Sequence, residues 1–110
     1  MRFLSVYTAP DSNEAPTPEM IARMGEFIEA GKRRGILIAT EGCMPSALGA
    51  RMRLSDGKLT LTDGPFTESK EVIGGFALLQ ANSKQEALDY VKEFLEVVGE
   101  GHCELRQLYG

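Results

Sequence analysis

The residues of this chain best equipped for chemistry gather in one stretch, TDGPFTESKE at 62–71. A strand-like run ends at Asp63. Gly64 and Pro65 break it, Phe66 follows, and Glu68, Lys70 and Glu71 then alternate in charge. Asp56-Gly57, set between alternating runs, signals a hairpin with a type I′ turn. Counting outward from that turn pairs Ser55 with Lys58, Leu54 with Leu59, Met52 with Leu61 and Ala50 with Asp63. Because side chains alternate, Asp63 shares the apolar face with Leu59 and Leu61, away from Arg51, Arg53, Thr60 and Thr62. Two roles follow for its carboxylate. Backbone N–H groups could bond it as in an Asx turn. Alternatively, a partly dry pocket would equip it as a general acid or base. In the second case Arg53, Lys70 or Arg106 would hold an anion. Gly64, Pro65, Phe66, Glu68, Lys70 and Glu71 would then rim a site facing Gly74-Gly75, where missing side chains leave room for a ligand.

Other reactive residues are sparse. His102 is the only histidine, and alternation puts it on one strand face with Glu104 and Arg106. One histidine with scattered acids does not supply a metal ligand set. Cys43 and Cys103 have no metal spacing and read as isolated thiols of a reducing compartment, with a disulfide between them as the alternative, since pairing depends on geometry. Phosphate-loop, nucleophile-elbow and reactive-cysteine patterns are absent, so no cofactor is expected.

The elements that must position these residues are legible. Residues 2–8 alternate as a strand, with Phe3, Ser5 and Tyr7 on one side and Leu4 and Val6 on the other. Thr17 caps a helix with Pro18 at its first position. Its stripe is Met20, Ile21, Met24, Phe27 and Ile28, and Gly35 ends it. The run 36–40 reads as a central strand, 50–55 and 58–63 as the hairpin, and 72–81 as a strand weakened by its glycine pair. Ser83 and Glu86 make a capping box for a helix with stripe Ala87, Leu88, Val91, Phe94, Leu95 and Val98. Residues 102–109 close the chain as a strand. Two βαβ halves with a hairpin between them predict an α+β, ferredoxin-like subunit, one domain over 1–110. Helices cover one face of such a sheet. Phe3, Tyr7 and the hairpin leucines are expected to line the other and bury it in a homodimer.

Composition excludes some partners. At 110 residues and net charge −4 the chain lacks the basic footprint of a nucleic-acid binder. No apolar run is long enough to span a bilayer, so no membrane partner is expected.

DGPFTESKE followed by IGGFALL closely resembles the signature of the DGPF-type, YCII-related proteins, which read DGPF-x-E-x-K-E and then a Gly-Gly-aromatic strand. RMRLSDG, SKQEALDYV and Glu104-Leu105-Arg106 extend the resemblance along the chain. It implies a dimeric α+β barrel of ferredoxin-like subunits in a bacterial cytoplasm. Shorter relatives carry a histidine in the first helix and an aspartate, from which an acid–base role has been suggested; residues 18–34 here contain no histidine. Some members accompany alternative sigma factors, which implies a regulatory setting. Two functions are therefore expected. One is a small-molecule-binding or regulatory homodimer, with a small anionic ligand or a regulatory protein partner. The other is an acid–base isomerase or lyase with Asp63 as base. A single carboxylate without an evident catalytic partner favours the first.

Overall fold

The computed structural model describes residues 1–110. The elements run β1 (Arg2–Pro10), α1 (Pro18–Arg33), β2 (Leu37–Gly42), a 3-10 turn (Ser46–Leu48), β3 (Ala50–Ser55), β4 (Lys58–Asp63), β5 (Glu71–Gln80), α2 (Lys84–Val98) and β6 (His102–Gln107). β2, β5, β1 and β6 form one antiparallel sheet in that order, while β3 and β4 make a separate two-stranded ribbon. This is the ferredoxin-like subunit with an inserted hairpin.

Local chemistry sets the helix ends. The Thr17 hydroxyl accepts from the Met20 N–H at 3.1 Å, and Pro18 opens α1. Gly35, at φ +77°, turns the chain after it. Ser83 accepts from the Glu86 N–H at 3.1 Å, and Gly99 closes α2 in the left-handed region. The hairpin has the register read from Asp56-Gly57, from Ser55–Lys58 out to Ala50–Asp63. Both turn residues have positive φ, 53° and 77°, as a type I′ turn requires.

The core lies between the four-stranded sheet and the two helices. Phe3, Ile36, Leu37, Leu79, Ala81, Ala87, Tyr90 and Val91 are buried in it, with Phe27, Ile28, Leu95 and Leu105 packed alongside. Phe3 and Leu79 are fully buried, each worth about 1.5–3 kcal/mol by the usual scale for a large apolar side chain.

Two readings from the sequence are corrected. Phe3 and Tyr7 face the helices, not the uncovered side: Phe3 belongs to the core, and the Tyr7 ring meets Phe94 edge-on at 5.2 Å. The uncovered face carries the alternate residues. Cross-strand neighbours share a face, so Leu4 with Leu78, Val6 with Phe76 and Thr8 with Ile73 lie there, beside Arg106, Glu104 and His102 of β6. The second correction concerns β2, which is an edge strand. Its apolar run is explained by Ile36 and Leu37 plugging the core at the strand's start, while Ile38 is exposed.

Candidate functional site

The DGPF stretch is held from behind by a small polar clamp. The Ser46 N–H donates to Asp11 Oδ1 at 3.2 Å, and the Ser46 hydroxyl donates to Asp11 Oδ2. The same hydroxyl accepts from the Phe66 N–H at 3.2 Å. These bonds, led by the one from the Ser46 hydroxyl, hold the Asp11 carboxyl below the usual carboxylate range. Gly64 donates its N–H to the Gly49 carbonyl at 2.9 Å and lies against the Ser46 backbone; the Gly64–Pro65 bond is cis. From the other side, the Arg51 guanidinium stacks 3.9 Å over the Phe66 ring, pairs with Glu68 and donates to Ser69 Oγ at 3.1 Å. An exposed cation–π pair of this kind is worth about 0.5–1 kcal/mol.

The anticipated site residues are not gathered into one place. Asp63 is exposed at the end of the hairpin's apolar face, without a side-chain hydrogen bond, and does not line the cleft between sheet and helices. The hydrogen bonds of an Asx turn are therefore not made by its carboxylate. Arg53 is exposed on β3 with no ion pair, and it is Arg51 that meets the loop. Pro65 and Lys70 are exposed, and Lys70 makes no ion pair. Glu71 approaches His102 Nδ1 at 3.8 Å across the sheet. Arg106 pairs with its own strand neighbour Glu104 at 3.2 Å. No group of three or more His, Cys, Asp or Glu residues converges.

A mostly apolar cleft lies elsewhere, between the sheet and the helices, with a volume of about 360 Å³. Its floor is the helix-facing row of the sheet, including Ser5, Tyr7, Ala77 and Cys103; Phe27, Tyr90 and Phe94 stand on its walls. Phe27 and Tyr90 stack at 4.9 Å. Gly74 and Gly75 line it through their backbones. Their bareness serves packing: a Cβ on Gly74 would press on the Tyr7 ring at 2.9 Å, and one on Gly75 on the Glu41 carbonyl at 2.7 Å. A register shift opposite Tyr7 and Thr8 bends β5 at this pair.

The polar groups of the cleft are few. Tyr7 donates its hydroxyl to the Glu100 carbonyl at 2.8 Å, and burial, with Glu100 next, raises its pKa. The Thr40 hydroxyl donates to the Phe76 carbonyl at 2.8 Å. Burial pushes the Cys103 thiol up, opposed by a hydrogen bond from Ser5. The Tyr90 hydroxyl is buried with no partner, and burial raises its pKa to about 12. Glu41 and Phe76 are cross-strand partners on the other face of the sheet, with Phe76 opposite Val6, so they border the cleft through backbone. No lysine, arginine or histidine lines it.

Sequence reasoning missed Asp11, Ser46 and Arg51 as partners of the motif, and it missed the cleft. Asp11 and Ser46 lie 35 residues apart in segments without periodicity, so nothing local announces their meeting. The cleft draws on six elements, and two of its aromatic residues, Phe27 and Phe94, read as ordinary helix stripe.

No helix of the protein is long and apolar enough to cross a membrane. An uncharacterized protein of Rhizobium meliloti (strain 1021) is 32% identical over 83 residues, which are 76% of this chain and 64% of that relative. The chain thus spans somewhat less than two thirds of the curated relative it matches. A solved structure of 5-chloro-2-hydroxyhydroquinone dehydrochlorinase from Burkholderia phenoliruptrix AC1100, in complex with 2,5-dihydroxybenzoquinone, aligns with 99% of this chain and 94% of that one. Identity there is 17% and the TM-score 0.49, too low to carry a functional argument. The YCII-related domain family matches residues 1–108, nearly the whole chain, and the protein belongs to that family.

Proposed function

We propose that the protein is a homodimer that binds a small molecule in the cleft between its sheet and helices. The cleft carries this reading. At about 360 Å³ it lies within the range of small-molecule sites, its walls are mostly apolar and aromatic, and a few polar groups sit among them. Its side chains bear no cation, so the ligand is neutral, in place of the anion expected from Arg53, Lys70 and Arg106.

The dimer rests on two uncovered apolar surfaces, the open sheet face and the hairpin row Met52, Leu54, Leu59 and Leu61, each of the four at least 60% exposed. In such a dimer Asp63 would lie at the edge of the interface, where a second copy could complete an acid–base site.

Calorimetric titration with small neutral aromatic compounds tests the cleft. Wild type should bind some of them with one site per protomer. Ala77→Phe, which projects a ring into the cleft from its floor, should abolish binding while the far-ultraviolet circular dichroism is retained. Equal binding by wild type and Ala77→Phe would rule the cleft out as the site.

A further inference from the structure

Of the hydroxyls on the cleft floor, those of Tyr7 and Thr40 donate to backbone carbonyls, and that of Ser5 does not. Ser5 on β1 faces the helices and is 6% exposed, yet its hydroxyl makes none of the hydrogen bonds to backbone or oxygen that usually satisfy a buried serine. Its neighbour is the Cys103 thiol. β1 and β6 pair so that Tyr7 stands opposite Cys103 and Ser5 opposite Leu105, which makes Ser5 and Cys103 diagonal neighbours on one face. Sulfur is a weak acceptor, and the serine oxygen keeps its lone pairs free. A serine in a sheet core costs stability unless something bonds it, and alanine would fill the same space without that cost.

The surroundings specify what could bond it. Phe27 stacks on Tyr90 and tilts against Phe94 at 6.4 Å, and Tyr7 meets Phe94 edge-on, so the cleft offers aromatic faces and edges to a flat ring. The other polar groups are committed or sealed off. Tyr7 and Thr40 donate to backbone carbonyls, and the Tyr90 hydroxyl is pressed against Gly31 of α1, where even a Cβ would overlap it.

We infer that Ser5 is the polar anchor of the cleft and selects a small neutral aromatic alcohol, whose hydroxyl donates to Ser5 Oγ beside Cys103 while its ring lies among Tyr7, Phe27 and Phe94. This rests on the cleft being the ligand site and adds the ligand's chemical class and the residue that reads it.

The test uses two probes of nearly equal size, p-cresol and toluene, titrated calorimetrically into wild type, Ser5→Ala and Ala77→Phe. Wild type should bind p-cresol about tenfold more tightly than toluene, as one directed hydrogen bond allows. Ser5→Ala should bind toluene as wild type does and lose the preference, and Ala77→Phe should bind neither. Equal affinity of wild type for the two probes would overturn the anchor and leave the cleft reading standing. A preference retained in Ser5→Ala would remove Ser5 from the role. Failure of both probes to bind wild type would overturn the anchor together with the cleft reading. Thermal melts of Ser5→Ala separate lost recognition from lost fold: the variant should melt no lower than wild type, and a lower melting temperature would assign Ser5 to the fold and overturn the anchor.

Discussion

Gly64 sits against the Ser46 carbonyl so closely that any β-carbon at 64 would overlap that oxygen. The glycine of the DGPF motif is therefore required by a backbone-to-backbone contact. Gly64→Ala should destabilise the protein by about 1–3 kcal/mol, the usual cost of forcing extra atoms into a filled space. Denaturant melts would show it as a lower midpoint with an unchanged slope.

The clamp behind the motif has a pH signature. The folded-state pKa of Asp11 is lowered by its bonds from Ser46, so its contribution is present at neutral pH and lost as pH falls through that folded pKa. Asp11→Asn should melt below wild type at pH 7, and the gap should close in acid beneath the ordinary carboxylate range. Ser46→Ala should cost about 1–3 kcal/mol, because the Phe66 N–H then loses its acceptor. Thermal melts across pH check both.

Tyr90→Phe should be neutral or stabilising, by on the order of 1 kcal/mol, since it removes a buried hydroxyl that has no partner and keeps the ring stacked on Phe27. Alkaline pH provides a second readout. The Tyr90 phenol is raised from 10.0 to about 12 in the folded state, so its stabilising share is intact below pH 10 and lost as pH rises through about 12. The variant should lose less stability than wild type over that window.

The proposed dimer predicts that a charge in the hairpin's apolar row disrupts assembly. Leu61 is 60% exposed in the protomer, so Leu61→Lys should leave the subunit folded. Light scattering at micromolar concentration should give a dimer mass for wild type and a monomer mass for the variant. A wild-type monomer would remove the dimer from the functional reading.

What the sequence disclosed was local. Asp56-Gly57 set all six hairpin pairs, and Thr17, Ser83, Gly35 and Gly99 marked the helix ends, because caps and tight turns are written within a few residues. The long-range choices were hidden. Alternation separates Phe3 and Tyr7 from Leu4 and Val6 but does not say which pair faces the helices. The glycines at 74 and 75 read as room for a ligand, but what lies against them is the Tyr7 ring and the β2 backbone. Arg51 and Arg53 share the polar face of β3. Only the path of the chain after Pro65 decides that Arg51 meets Phe66 and Glu68.

The hairpin's isolation would make it a reporter of the proposed assembly. Its strands bond to each other and not to the main sheet, and the Gly64 N–H to the Gly49 carbonyl spans its base. A two-stranded ribbon without a covered face is marginally stable in water. Its amide protons should exchange with deuterated solvent far faster than those of β1 and β5, through opening of the ribbon alone. If the proposed dimer covers the ribbon, dilution through its dissociation range would speed exchange at residues 50–63 before any change in the central strands, letting one short ribbon report the proposed assembly.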